Sequence, residues 1–472
     1  MRLETTYFNE RVELFDAVYG ADRAAELRAV ARLYNRHLGP IEALNAHRPE
    51  ASDLALYSSS CRHSSVAGLM RDLETRPPAG QSPLVPGGGK GATLSQAVAG
   101  ALGESAERLL AILHYQGIHP QLRFASYQEL QREGVDAVYP GDLPLFAQEQ
   151  YSTPGFRWQP FTVDTPVRWI RGVRLLTDRP VMVPAQLVLL WYERAPGEIP
   201  IGYPTTGGLV FHSDRRRAIL HGLYELVERD AINVGWMCRV SPRRIEVDLE
   251  ALLRDISGVE RRMSTAFLSG VKVFLNTLDS PIPVMTVMAF DESRETLSFL
   301  AGGGAWSRKE RALTQALFEA GQCRSVLRTL EHEERQRIQP WTPRSQMGDF
   351  LDATVYYGYR QNRPLLDWYM AGDVVAWDDV PSLSFASLDE EFVAVLEWLK
   401  RDLLDPVIVD LDSSCWPGAV VLKVIVPELT TAWVPAEPFL GHPRYYDLPQ
   451  ELGLLDRALT NEDFNKLPLP FP

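Results

Sequence analysis

GGGKGATLSQAVAGALGESAERL, residues Gly87 to Leu109, is the stretch from which the rest of this chain can be read. Four glycines surround Lys90, and a helical pattern then runs from Ser95 to His114 without a proline. Residues three and four apart are neighbours on a helix, so Gly100, Gly103, Glu104, Glu107 and Ala111 share one face. Two carboxylates thus stand among small side chains that let another group come close. The glycine run reads as loop material continuous with Pro77 to Pro86. It is not a Walker A loop, because Lys90 is followed by Gly91 rather than by Ser or Thr. A backbone nest there, or Lys90 itself, would still suit an anion at the start of the helix.

The same stripe recurs twice. A helix expected over Ser213 to Asn233 aligns Ala218, His221, Gly222, Glu225, Glu228 and Arg229, and one over Arg308 to Leu330 aligns Ala312, Gln315, Ala316, Glu319, Gln322 and Cys323. Carboxylates beside apolar flanks are costly inside a protein without a partner, and a hard cation is a partner that suits them. Magnesium takes carboxylate oxygens together with nucleotide phosphates, so the three stripes suggest a site for Mg²⁺ and a triphosphate. Solvated glutamates pairing with Arg108 or Arg229 are the plainer reading of any one helix.

Strand patterns lie between and beyond these helices, at Val181 to Tyr192, Val271 to Asn276, Val284 to Phe290, Leu297 to Ala301 and Ala419 to Val426. The class expected is therefore α/β, or mixed α+β, with a mixed sheet. Apolar residues from Asn9 to His37 recur at helical steps, which predicts a helical N-terminal segment over residues 1–57; the prolines mark a tail over 434–472, and the span between, 58–433, is the core.

The 472 residues suffice for one large core or two fused ones, at about 150 residues per domain. Lys and Arg number 48 against 61 Asp and Glu, and the net charge of −13 argues against nucleic acid as the main partner. Cys61, Cys238, Cys323 and Cys415 are far apart, so neither a zinc site nor a disulfide framework is indicated. No apolar run is long enough to span a bilayer, and a cytoplasmic protein is expected. GxSxG and HExxH motifs do not occur. The chain ends Leu467-Pro468-Leu469-Pro470-Phe471-Pro472, which must be extended and stiff because proline fixes φ.

Taken together, GGGKGATLSQAVAGALGESAERL, AILHGLYELVERDA at Ala218 to Ala231 and ERALTQALFEAGQCR at Glu310 to Arg324 resemble the three signatures of the YcaO family. Between the first two, Arg171 to Val188, which ends in RPVMVPAQLV, resembles the family's strand leading to a Pro-Ala step. The resemblance implies that the core over 58–433 is catalytic, with ATP bound through acids on helices and used to activate a peptide-backbone amide. Carried over by position, Glu104, Glu107, Glu225, Glu228 and Glu319 match the nucleotide and magnesium acids, with Arg229 and Lys90 beside them and Gln322 in the glutamine position. Gly100 stands where Ser is usual, Gly207 where Asn is usual, Arg217 where Glu is common and Gln315 where Arg is expected.

The PxPxP ending of Pro468, Pro470 and Pro472, with LGHPRYYDLP at Leu440 to Pro449, resembles the azoline-forming branch. That branch converts Cys, Ser or Thr of a ribosomal precursor peptide to thiazoline or oxazoline, and the resemblance gives the tail a catalytic part. Thioamide- or amidine-forming members, or a scaffold without ATP turnover, are the alternatives; Gly100, Arg217 and Gln315 motivate the scaffold. The segment before Ser58 has no strand-rich module for gripping a leader peptide, so a separate ThiF-like or E1-like protein with a peptide-binding module is the expected partner. An azoline dehydrogenase and a second copy of the chain are further partners that the resemblance admits.

Overall fold

The computed structural model describes residues 41–47, 56–63, 87–118, 121–252, 270–292, 294–332, 338–348, 350–411 and 418–471. The helical pattern of Asn9 to His37, Cys415 and Pro472 lie outside them. The described residues form three sheets, and the fold is of the expected α/β class. The first is antiparallel, with β1 (Ile41–His47), β2 (Tyr57–His63) and β3 (Gly87–Gly91) in that order. The second has the order β4 (Arg123–Ala125), β5 (Val167–Arg174), β13 (Val407–Leu411), β14 (Val420–Ile425), β7 (Leu209–His212), and β6 (Pro180–Pro184) pairs with β5. The third has the order β11 (Phe299–Ala305), β10 (Val284–Phe290), β9 (Lys272–Leu275), β8 (Arg243–Glu246), β12 (Val374–Ala376), antiparallel except where β12 joins β8.

Three long helices each follow the edge strand of one sheet after a connection of two or three residues: α1 (Leu94–Ile118) after β3, α2 (Arg215–Met237) after β7 and α3 (Lys309–His332) after β11. The helices thus form where the stripes predict them. Asp214 caps α2 by accepting the Arg217 N–H at 2.9 Å. Two smaller helices, α4 (Phe350–Gly358) and α5 (Leu388–Arg401), pack around this frame.

Two expectations need correction. Gly87 to Gly91 is not a loop: it is strand β3, paired with Tyr57 to Cys61 of β2. A Cβ on Gly87 would lie 2.0 Å from Ser105 Oγ, and one on Gly89 would lie 1.8 Å from the Ala97 carbonyl oxygen. Glycine is required because the strand lies flat on α1, not because the chain turns. Ile41–His47 is a strand of the same sheet, so the segment before residue 58 is not helical throughout and the boundary at 57 divides a sheet. Trp236 and Trp306 are buried, as core tryptophans should be. Among the described residues no helix is long and apolar enough to cross a membrane.

The proline-rich end is ordered. Leu469 and Phe471 are buried, and the segment lies against the C-terminal end of α2. Arg444 of the LGHPRYYDLP stretch ties this region to the same helix by pairing with Asp230 and with Asp279, whose carboxylate it meets at 2.7 and 2.8 Å.

Candidate active site

The three strand–helix units meet at their carboxylates. In the first, Glu104 Oε2 accepts the Gly88 N–H at 2.6 Å; in the third, Glu319 Oε2 accepts the Gly303 N–H at 2.7 Å; each glutamate follows its glycine by 16 residues. In the second, Glu225 Oε2 accepts the Gly208 N–H at 3.0 Å, 17 residues apart. Gly88 and Gly303 lie on edge strands and Gly208 immediately precedes one; among the described residues no further strand pairs on that side, and a helix carboxylate takes the place of the missing carbonyl. Three residues further along the helices stand Glu107, Glu228 and Gln322, so the site is a quasi-threefold repeat with five carboxylates and one amide.

Contacts between the units close the ring. Glu107 Oε2 accepts the Phe211 N–H of β7 at 3.2 Å. Glu228 reaches β11, where a Cβ on Gly303 would lie 2.7 Å from its Oε1. Gln322 of α3 lies against β3, with its Nε2 2.4 Å from where a Gly88 Cβ would be. Lys90 of β3 pairs with Glu319 at 3.1 Å, and Glu104 pairs with Arg108. All eight site residues named outside the tail are therefore brought together, with Arg229 held among Glu228, Glu225 and Glu319.

The electrostatics are strained in one direction. Protein rings these carboxylates although solvent reaches their tips. Burial, followed by repulsion from Glu225 and Glu104, holds Glu107 well above the usual carboxylate range. Burial also raises Glu225, against the pull of Arg229. Glu228 is pushed up to about 8 by burial and by the charges of Glu319 and Glu225, although Arg229 pulls it down. Such a group holds more negative charge than its cations offset, and hard oxygen donors are the donor set that Mg²⁺ takes. Among the described residues no three His, Cys, Asp or Glu groups stand ready-made around a single point, since each carboxylate is turned to a backbone N–H or a cation. The residues fit magnesium by donor chemistry and by surplus charge.

The N-terminal halves of α2 and α3 line a cleft of about 870 Å³, which His221 of the α2 stripe reaches one turn before Glu225. Arg217, His221, Trp306, Arg311, Thr314 and Glu391 line it. The Arg311 guanidinium stacks 3.5 Å from the Trp306 ring centroid, whose other neighbours are His221 and Tyr224. Burial holds the His221 pKa down to about 3, so its ring is neutral.

Gly100 packs on β3, where a Cβ would come 3.2 Å from Gly89 Cα. Gly207 offers its carbonyl to Lys423 Nζ at 2.6 Å, and Thr205 does the same. Sequence reasoning did not find Lys423, although a single lysine in the apolar run Val420 to Val426 was a signal. Burial lowers its pKa to about 8, opposed by Glu225 and Glu107. The lysine anchors the loop before Gly208, whose φ of +76° and whose Cβ position 2.4 Å from the Val424 carbonyl oxygen demand glycine. Pro468 and Pro470 do not join the carboxylate ring; they are buried by the C-terminal end of α2, two turns beyond Glu228.

The comparisons with known proteins agree with this geometry. An uncharacterized protein of Methanothermobacter thermautotrophicus is 29% identical over 347 residues, which are 72% of this chain and 80% of that one. A heterocyclase solved in complex with substrate and cofactor superposes with a TM-score of 0.73 at 23% identity, over 96% of this chain but only 57% of its own length. YcaO from Methanopyrus kandleri, bound with AMPPCP and Mg²⁺, superposes with a TM-score of 0.55 at 22% identity, over 83% of this chain and 86% of that one. The family described as YcaO cyclodehydratase, ATP- and Mg²⁺-binding, matches residues 88–430, which take in all three strand–helix units. With more than two thirds of its length matched, the chain belongs to the YcaO cyclodehydratase family.

Proposed function

We propose that this chain is an ATP-dependent, azoline-forming cyclodehydratase subunit acting on a ribosomal precursor peptide. The observation that carries the reading is the ring of Glu104, Glu107, Glu225, Glu228 and Glu319, held by backbone N–H groups, Lys90 and Arg229 on helices two of which line a cleft with their N-terminal halves. The cleft takes the nucleoside end of ATP, and the carboxylates, Gln322, Lys90 and Arg229 take the triphosphate end. Magnesium, when held by the carboxylates, would neutralise phosphoryl charge.

The thiol or hydroxyl of a Cys, Ser or Thr adds to the preceding backbone carbonyl carbon and gives its proton to a base. The resulting oxyanion attacks the γ-phosphorus and ADP departs. Loss of the amide proton then expels phosphate, and a C=N bond forms within the ring that the addition had closed. Hydroxide is a poor leaving group and phosphate a good one, which is why a phosphoryl donor is needed. The base is assigned to the C-terminal carboxylate of the tail. A buried, ordered tail supports the azoline branch, and the packing of Gly100 on β3 accounts for that departure without any loss of ATP turnover.

Gripping of the precursor's leader is assigned to a separate protein. The test is to incubate the chain with precursor, partner, ATP and Mg²⁺ and to weigh the peptide. Loss of one water per ring, dependent on ATP, is expected. Exchange of sulfur for oxygen, or an unmodified peptide, would refute the reading.

A further inference from the structure

Proline has no N–H, so a PxPxP segment loses every second donor of an ordinary backbone ladder, while all its carbonyls remain to be gripped. Two different elements grip successive ones. Trp236 Nε1, from the end of α2, donates to the Leu467 carbonyl at 3.2 Å, and the Tyr357 hydroxyl, from α4, donates to the Pro468 carbonyl at 2.7 Å. Upstream, Asn465 donates from its side chain to the Trp236 carbonyl at 3.2 Å and from its backbone to that of Met237 at 2.8 Å. Downstream, Phe471 is buried with its ring 5.5 Å from Tyr369, whose hydroxyl is fixed by Asn276 at 2.6 Å and Thr286 at 3.0 Å.

A single hydrogen bond would leave the tail free to pivot. Donors from two elements on adjacent carbonyls fix both its rotation and its register. The helix that supplies Trp236 is also the one that supplies Glu225 and Glu228, with Trp236 eight residues beyond Glu228, a rise of about 12 Å. The distance from the carboxylates to the tail is thus set by one rigid element.

We propose that Trp236 and Tyr357 are positioning residues that set the register of the tail, and so the place at which its terminal carboxylate is delivered; this rests on the reading of the chain as ring-forming. Neither residue touches the carboxylate ring in this role. A slip of one residue in an extended proline-rich segment moves its end by about 3 Å. Displacement of a reacting group by about 1 Å can already cost about 10²-fold in rate.

The test uses the full chain with its partner and precursor, comparing Tyr357→Phe and Trp236→Phe with wild type. Both variants keep an apolar ring and lose the donor. Ring formation should fall by about ten- to a hundredfold in kcat, with the KM for ATP unchanged and more phosphate released per ring formed. A merely structural role would lower kcat by loss of active protein and leave the phosphate-to-ring ratio alone. Hydrogen exchange at the Leu469 and Phe471 amides, read separately on the same proteins, should quicken. Unchanged exchange in both variants would overturn the docking. Quickened exchange with normal ring formation would overturn the positioning role. A wild-type chain that forms no rings while the exchange still responds would refute the ring-forming reading, and the catalytic half of this inference with it, leaving the docking standing.

Discussion

Replacing Glu228 with Gln should stabilise the ligand-free protein at alkaline pH while removing its ATP turnover. Burial and the neighbouring charges of Glu319 and Glu225 raise the Glu228 carboxyl from 4.5 to about 8. A carboxyl raised in the folded state favours folding only while it is protonated. Its contribution is complete below the unfolded value and is lost as pH climbs from 4.5 to about 8. One pKa unit corresponds to 1.36 kcal/mol, so the two units between pH 6 and pH 8 remove about 2–3 kcal/mol, reduced to about 1–2 kcal/mol by solvent entering the cleft. The neutral amide carries no such dependence. Urea unfolding of both proteins at pH 6 and pH 8 should therefore show the variant gaining about 1–2 kcal/mol on wild type across that interval. Turnover of Mg-ATP should be lost, and the stabilisation of wild type by Mg-ATP should be weak in the variant. A stability gap that is constant or that shrinks with rising pH, or near-normal turnover, would refute the assignment of Glu228 to a strained, cation-binding ring.

Glu104→Gln should likewise abolish turnover with the fold intact, as read by phosphate release and circular dichroism. Gly302→Ala places a Cβ 2.2 Å from the Ala316 carbonyl oxygen and 2.6 Å from Ala320 N, both backbone atoms of α3; a loss of about 1–3 kcal/mol or more in urea unfolding is expected, and a wild-type midpoint would contradict the close approach of strand and helix. Removing Pro472 alone, or adding a C-terminal tag, should slow cyclisation by about 10²- to 10⁴-fold with ATP affinity unchanged. Because Phe471 is buried, removing two residues would cost packing as well, and the single deletion is the cleaner measurement. The chain alone should bind precursor weakly in calorimetry, with a leader-binding protein restoring activity; tight leader-dependent binding by the isolated chain would remove the need for that partner.

The amino-acid sequence by itself determined the three helices and the faces they share, because spacing at three and four residues depends only on neighbours along the chain. Glu104, Glu107, Glu225, Glu228 and Glu319 could be named from that spacing, and the YcaO signatures from their order. What the tertiary structure decided was the partner of each group. The glycine strand β3 looked like a loop because its reason for being glycine, the backbone of α1 pressed against it, is a contact across 8 to 18 residues rather than a local preference. Lys423 stood out in its apolar strand, but what it holds could not be read, because its acceptors, Thr205 and Gly207, lie 218 and 216 residues away. The tail could be called stiff from its prolines, but whether it frays or docks rested on Trp236 and Tyr357, 231 and 111 residues distant. Periodicity is encoded by neighbours and survives in one dimension; convergence is set by sheet edges and burial, which exist only once the three strand–helix units have closed on one another.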